Sequence, residues 1–231
     1  MHLFYVPDIA AKILSEEESL HAVKVLRLQG GDDIVILDGA GGYHKAKITL
    51  PHPKKCGFEI TQSILEYGKR NYKLHIAIAP TKNIERFEWF IEKATEIGID
   101  EITPIICRFS ERKIIKPERL EKIIISAAKQ SVKAFFPALN PSCTFDELLL
   151  QNHAKGKFIA HCYDGDKQLL KNAIAGCDDV LILIGPEGDF SKEEVEKATR
   201  AGFKPVSLGE SRLRTETAGV MACATIAITL F

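Results

Sequence analysis

The spacing of apolar residues changes near residue 70, and the change predicts two parts of different architecture. The first part, residues 1–70, contains short apolar runs separated by turn residues, which is typical of a compact β-rich unit. Its predicted helix begins at a capping box formed by Ser15 and Glu18 and runs through Leu26. Strands are predicted at 3–6, 33–37, 43–50 and 58–65, and a glycine-rich turn at 38–42 makes the middle two a hairpin.

Beyond residue 70, apolar strands alternate with helices, which predicts a mostly parallel sheet covered by helices on both faces. The predicted strands are 74–79, 102–106, 158–162, 180–184 and 205–208. The predicted helices are 84–97, 117–132, 167–175, 192–201 and a last one from about residue 216. Gly98 and Gly202 directly follow two of these helices, where a C-terminal glycine is common. We therefore expect an α/β domain over residues 71–231.

One turn between a strand and a helix has an unusual composition. The run 180–184 is entirely apolar, which is typical of a buried parallel strand, and a capping box at Ser191 and Glu194 begins the next helix. Between them lies Gly-Pro-Glu-Gly, residues 185–188. Pro186 removes an amide donor and Glu187 adds a negative charge, so the turn disfavours phosphate. It indicates a ligand that is uncharged or positive at this point, with an ordinary tight turn as the alternative.

A second glycine-bearing loop, residues 207–218, leads into the last helix. Arg214 precedes that helix and Thr215 is a candidate N-cap, so a polar loop meets the positive end of the helix dipole. If the two strands that precede these loops are neighbours, both loops lie at the carboxyl edge of the sheet, where open α/β sheets bind ligands. The alternative for Arg214 is a surface salt bridge with Glu210 or Glu216. The helix itself is apolar on nearly all faces, which predicts burial within the domain or against a partner subunit.

Composition narrows the function. Lys and Arg together number 31, as do Asp and Glu, so the chain is not a polycation that coats nucleic acid by charge alone. A local excess of positive charge does occur over residues 108–133, which favours phosphate contacts there; a solvated helix face with i,i+4 ion pairs is the alternative. The six cysteines are scattered without a C-x-x-C pair, which favours reduced thiols over zinc. Neither a signal peptide nor a membrane span is indicated, so we expect a cytoplasmic protein.

Four segments together resemble a known family. "LIGPEGDFSKEEV", "SLGESRLRTETA", "EKATEIGIDEITPI" and "HAVKVLRLQGGDDIVILDG" are similar to segments of the RsmE family, bacterial 16S ribosomal RNA uridine-N3 methyltransferases of the SPOUT class. The resemblance covers nearly the whole chain. It implies a SPOUT-type α/β fold with a C-terminal trefoil knot over residues 71–231, preceded by a small PUA-like β-barrel that binds RNA over residues 1–70. It also implies a homodimer formed through the knot region and the small ribosomal subunit as partner.

The resemblance further implies S-adenosylmethionine as methyl donor, with no metal. The cofactor-binding residues that it implies are Ile184, Gly185, Glu187, Gly188, Leu208, Gly209, Leu213, Arg214, Thr215 and Ala218. Methyl transfer to uridine N3 requires the loss of the N3 proton, and a cation beside O2 and O4 favours that state. We assign this role to Arg214, and to Glu216 or a nearby main-chain group the positioning of the base. RNA contacts are expected from Arg27, Arg108, Arg112, Lys129, Gln130 and Lys133.

Two departures from the family pattern affect these expectations. Asp189 stands where the family commonly has a further glycine, and its negative charge lies at the expected cofactor rim. Lys129 and Lys133 frame a Gln-Ser-Val segment where the family has Glu-Gln-Ser-x-Arg, and a lysine lacks the planar fork with which arginine grips phosphate. Two other functions stay open. One is a SPOUT methyltransferase for another RNA; the other is a non-catalytic RNA-binding protein or a nucleotide-binding α/β domain of another class.

Overall fold

The computed structural model describes residues 2–151 and 154–230, which form two compact units. The first unit contains the residues up to Lys69 and a later segment, Ile125–Phe136. The second contains Arg70–Ile124 and the residues from Pro137 onward. The chain therefore returns to the first unit part-way through a long helix, Pro117–Gln130.

The first unit is built on a four-stranded sheet in the order β1-β2-β3-β4, with β1 parallel to β2 and the other pairs antiparallel. Its strands are β1 Leu3–Tyr5, β2 Asp33–Leu37, β3 Tyr43–Leu50 and β4 Gly57–Ile64. Alternation along β3 buries Ala46 and Ile48 and exposes the two lysines between and before them, as a sheet with one covered face requires.

The helix of the first unit is shorter than its periodicity predicts. Helix α1, Glu16–Leu20, passes into a π-helical turn at His21–Val25, and Arg27 follows with a positive φ of 58°. The predicted capping box is one-sided, because the Ser15 hydroxyl accepts the Glu18 amide but the Glu18 carboxylate accepts from Lys129 Nζ at 2.6 Å instead. The local pattern could not show a partner more than one hundred residues away.

The returning segment Ile125–Phe136 is hydrogen-bonded to the β2–β3 turn. The Gly41 amide donates to the Ala134 carbonyl at 2.9 Å, and the Phe136 amide donates to the Gly39 carbonyl at 3.0 Å. Val132 adopts a left-handed φ of 55°, which is unusual for a β-branched residue, while its side chain packs on the apolar cluster of this unit. The 125–136 segment thus belongs structurally with the β-rich unit.

The second unit contains a sheet of parallel strands in the order β10-β12-β9-β11-β5-β6-β7, with β8 paired to β6. The strands are β5 Lys73–Ile78, β6 Glu101–Ile106, β7 Ala138–Leu139, β8 Cys143–Thr144, β9 Gly156–Ala160, β10 Gln168–Leu169, β11 Asp179–Ile184 and β12 Lys204–Ser207. The central strands are buried on both faces, as their continuous apolar sequences predict.

The described part of the second unit contains five whole helices and the N-terminal half of a sixth, α3. They are α2 Ile84–Ile97, α3 Pro117–Gln130, α4 Phe145–Gln151, α5 Leu170–Ala173, α6 Lys192–Arg200 and α7 Thr215–Leu230. Gly98 ends α2 in the left-handed conformation, and Ser191 and Glu194 form both halves of the capping box of α6, so these two predictions are confirmed. Helix α7 approaches α2 closely: a Cβ on Gly219 would lie 2.6 Å from the Phe90 ring.

Three features differ from the sequence predictions. The predicted neighbours β11 and β12 are separated by β9, which pairs with both. The predicted helix 167–175 contains strand β10 before the helix α5 begins at Leu170. Strands β7 and β8 and helix α4 were not predicted, because elements of two to seven residues carry too little periodicity. Within the described residues, no helix is long and apolar enough to cross a bilayer.

Candidate functional site

A cavity of about 860 Å³ lies at the carboxyl ends of β9, β11 and β12. This volume is within the range of sites for small molecules and cofactors. Three segments line it, one after each of these strands: residues 160–163 with Lys167, residues 184–189, and residues 206–215 with Ala218. All ten residues assigned to cofactor binding from the sequence lie in this lining. Their contact with a cofactor stays a prediction.

Both glycines of the Gly-Pro-Glu-Gly turn pack closely against phenylalanine side chains of the protein. A Cβ on Gly185 would lie 3.1 Å from the Phe190 ring, and a Cβ on Gly188 would lie 3.0 Å from Phe109 Cβ. The glycines therefore allow close packing within the protein, in addition to any close approach of a ligand. Glu187 accepts the Lys82 amide at 2.9 Å, so its carboxylate also anchors the loop between β5 and α2.

The loop that leads into α7 is joined to this turn. Thr215 is the first residue of α7, and its hydroxyl donates to the Gly185 carbonyl at 3.1 Å, which is a different role from the predicted N-cap. Gly209 has a φ of 133°, which favours glycine, and its amide donates to the Ser207 hydroxyl at 3.2 Å. Arg214 is exposed at the cavity, and its guanidinium has no hydrogen-bond or ion-pair partner within residues 2–151 and 154–230.

Sequence reasoning missed the third wall of the cavity, which follows β9. His161, Cys162, Tyr163 and Lys167 contribute to it. Both ring nitrogens of His161 are shielded from solvent and have no hydrogen-bond partner in the described part of the chain. Burial, together with the nearby Lys167 charge, lowers the pKa of His161, so the ring is neutral at pH 7. No motif marks this segment; its position depends on the strand order, which a local pattern does not contain.

Glu216, the second residue assigned to catalysis, lies apart from the cavity lining. It is buried in the first turn of α7, and its Oε1 is 3.9 Å from Arg86 Nε on α2. Its Oε2 has no hydrogen-bond partner among the described residues. The carboxylate is therefore placed to orient α7 against α2, and a direct contact with a substrate base stays a prediction.

Several residues assigned to RNA contacts already bind other protein groups. The Arg112 guanidinium donates to the carbonyls of Thr81 and Lys82 at 3.0 and 2.7 Å, and this anchors the loop after β5. Arg108 pairs with Glu193 at 3.0 Å through exposed side chains, and such a pair exchanges readily. Within the first unit, Arg27 and Gln130 are exposed. Lys129, in that same unit, is paired with Glu18.

The described residues contain no group of three or more His, Cys, Asp or Glu side chains arranged to hold a metal ion. Carboxylates do line the cavity, at Glu187, Asp189 and Glu210. A cofactor with a cationic sulfonium and no phosphate is compatible with this lining, because the carboxylates favour positive charge. The residues present therefore fit S-adenosylmethionine.

Two family models match the chain. One, described as an RNA methyltransferase domain, matches residues 68–227. The other, described as an RNA methyltransferase PUA domain, matches residues 14–61 within the β-rich unit.

Curated and solved proteins are similar over nearly their whole length. A relative from Buchnera aphidicola, named ribosomal RNA small subunit methyltransferase E, is 30% identical over 216 residues, which is 90% of this chain and 84% of that protein. A probable rRNA methyltransferase from Porphyromonas gingivalis is 43% identical, with a TM-score of 0.92 over 100% of this chain and 98% of that one. A ribosomal RNA small subunit methyltransferase E from Neisseria gonorrhoeae, solved with S-adenosyl methionine, is 27% identical, with a TM-score of 0.82 over 98% and 96% of the two chains.

Proposed function

Because this chain belongs to the RNA methyltransferase family whose members include ribosomal RNA small subunit methyltransferase E, we propose that it methylates N3 of a uridine in 16S ribosomal RNA. The methyl donor is S-adenosylmethionine, with which one similar structure was solved. The observation that carries the proposal is that the Gly-Pro-Glu-Gly turn and the loop of Arg214 line the same cavity and are joined by the Thr215–Gly185 hydrogen bond.

The cofactor supplies an electrophilic methyl group on a sulfonium, and the leaving thioether is neutral. The protein's own contribution is to bind this group, align it with the incoming nitrogen and exclude water. Ile184, Gly185 and Gly188 belong to one wall of the cavity, and Leu208 and Leu213 belong to another. The SPOUT-type knot belongs to this proposal, since α7 packs on α2 and on the first strand of the parallel sheet.

Arg214 is the residue that acts on the substrate. Uridine N3 carries a proton at neutral pH, and its loss spreads negative charge onto O2 and O4. An exposed guanidinium at the cavity, with no partner in the described residues, is free to meet that charge. Since N3 lies on the pairing edge, the base must be unpaired or flipped to reach the cavity.

The β-rich unit supplies the main RNA surface in this proposal. Arg27 stands exposed in a left-handed conformation directly after a π-helical turn, and such irregular backbone is common at functional sites. Gln130 and Lys133 lie in the segment that the β2–β3 turn holds by backbone hydrogen bonds. This arrangement suits phosphate and shape contacts with structured RNA. A substrate in the small ribosomal subunit also implies a cytoplasmic enzyme that acts in ribosome biogenesis.

A homodimer through the knot region completes the proposal. Helix α7 buries one side against α2 but leaves Met221 and Ile228 exposed, which is unusual for a helix so apolar. A second copy of the chain would cover these side chains. Sedimentation should show a dimer at micromolar concentration, and a monomer at that concentration would contradict this part.

The function is tested by the modified nucleosides of ribosomal RNA. A strain that lacks this gene should lose 3-methyluridine from 16S rRNA, as measured by mass spectrometry, and the wild-type gene should restore it. Undiminished 3-methyluridine with loss of another methylated nucleoside would favour a SPOUT enzyme for a different target. Failure of the pure protein to bind S-adenosylmethionine in calorimetry would favour the alternative of a non-catalytic RNA-binding protein or a nucleotide-binding domain of another class.

A further inference from the structure

The cavity wall after β9 is tied at two points to the turn after β11. The Cys162 amide donates to Asp189 Oδ2 at 2.8 Å, and the Tyr163 hydroxyl donates to the Phe190 carbonyl at 2.8 Å. Lys167 Nζ donates to the carbonyls of His161 and Tyr163 at 2.8 and 2.6 Å, which closes the segment on itself. The wall is therefore held in place by side-chain bonds, since it has no strand ladder of its own.

Asp189 adopts a conformation in which glycine would be less strained. Its φ is 64°, a region that L-residues avoid, although aspartate tolerates it better than most. Its carboxylate makes two bonds to backbone amides, one to Cys162 and one to Phe190 at 2.8 Å, and its own amide donates to the Pro186 carbonyl at 2.9 Å. A strained conformation persists only where the surrounding structure holds it, and here these three hydrogen bonds do so.

We propose that Asp189 is a positioning residue for the cofactor, whose carboxylate holds the wall of His161, Cys162, Tyr163 and Lys167 in its binding position and thereby slows cofactor release. The inference rests on the proposed function, because the ligand is S-adenosylmethionine or its product. A wall that is already ordered costs no conformational entropy when the ligand binds. Loss of the tether would let the wall open, and such effects fall mainly on the dissociation rate.

Four substitutions separate the tether from the charge. Asp189→Asn removes the negative charge next to the cavity and keeps one oxygen, which can accept from either the Cys162 or the Phe190 amide but not from both. Asp189→Gly removes the acceptor and the charge and also relieves the backbone strain. Tyr163→Phe removes the second tie without touching Asp189. Asp166→Asn is the matched control, since Asp166 is an exposed carboxylate of the same loop that does not line the cavity.

The experiment measures binding and release of S-adenosylhomocysteine by stopped-flow fluorescence or surface plasmon resonance, and the melting temperature of each variant without ligand. For Asp189→Gly we expect release about tenfold faster, with the association rate within about twofold of wild type. Its melting temperature should stay close to that of wild type, because the relief of backbone strain offsets the two lost hydrogen bonds. Asp166→Asn should release the ligand at nearly the wild-type rate. Tyr163→Phe and Asp189→Asn, which each lose one hydrogen bond of this region, should be intermediate.

The outcomes separate this inference from the proposed function. Wild-type protein that does not bind S-adenosylhomocysteine would overturn both. Wild-type protein that binds it while Asp189→Gly releases it equally slowly would overturn only the positioning role. Release from Asp166→Asn as fast as from Asp189→Gly would assign the effect to charge and overturn the tether. If Asp189→Gly does not fold, unchanged release from Tyr163→Phe would overturn the proposed role of the wall.

Discussion

The Thr215 hydroxyl donates to the Gly185 carbonyl across 3.1 Å, and this buried bond joins the turn after β11 to the start of α7. The two loops come from strands that are not neighbours in the sheet, so no ladder hydrogen bond holds them together. The hydroxyl therefore fixes the distance between two walls of the cavity.

Thr215→Val should weaken both folding and cofactor binding. The replacement has the same shape but leaves the Gly185 carbonyl unsatisfied, which costs about 1–3 kcal/mol in unfolding free energy. Denaturant unfolding and calorimetry with S-adenosylhomocysteine measure the two effects. Thr215→Ser keeps the hydroxyl and should retain most of the affinity, whereas equal losses in the valine and serine variants would remove the hydrogen bond as the cause.

Arg214→Ala should lose activity without losing stability. The side chain is exposed and has no partner in the described residues, so its removal leaves the melting temperature unchanged. A lost stabilising donor at a developing oxyanion lowers turnover by about 10²–10³-fold. Single-turnover methylation of small ribosomal subunits checks the rate. Wild-type turnover in this variant would take the catalytic role away from Arg214.

Motifs in the sequence predicted two walls of the cavity and missed the third, for a physical reason. The Gly-Pro-Glu-Gly turn and the segment around Arg214 can each be recognised as a ligand-binding loop from the local order of their residues. The wall after β9 depends on β9 lying between β11 and β12, and strand order is decided by the packing of the whole sheet. Glu18 gives a second example, since its local pattern predicts a capping box while Lys129, distant in sequence, takes its carboxylate.

Gly219→Ala should destabilise the second unit although alanine is the better helix former. The added Cβ would lie 2.6 Å from the Phe90 ring and 2.8 Å from Ile78 Cδ1, and both side chains are fully buried. Overpacking of this kind costs about 1–3 kcal/mol, which outweighs the gain in helix propensity of about 1 kcal/mol at the upper end. Gly30→Ala is the control, because the nearest atom to its Cβ would be 3.9 Å away. Equal stability of the two variants in urea would contradict the close packing of α7 on α2.

Acid should destabilise the fold through His75, which lies in β5 and pairs with Glu101 of β6. Burial lowers the pKa of His75 from its ordinary value of 6.5; Glu101 and Asp179 oppose the shift and Lys73 adds to it. The ring is thus neutral in the folded protein, where Nε2 lies 2.7 Å from the Thr103 hydroxyl.

The sign of the pH effect follows from the direction of this shift. Below pH 6.5 the unfolded chain takes up a proton at this histidine more readily than the folded protein does, so the unfolding free energy decreases as the pH falls. Its contribution is fully present above pH 6.5 and is lost progressively below it.

Urea unfolding at several pH values between 7.5 and about 5 measures this effect. The unfolding free energy should decrease less steeply with falling pH for His75→Gln than for wild type. The pKa of His161 is also lowered, so the unfolding free energy of this variant should still depend on pH. The double variant with His75→Gln and His161→Gln should show a weaker pH dependence than either single variant. If the unfolding free energy of His75→Gln changed with pH just as that of wild type does, His75 would be equally easy to protonate in the folded and unfolded states, contrary to its burial in β5.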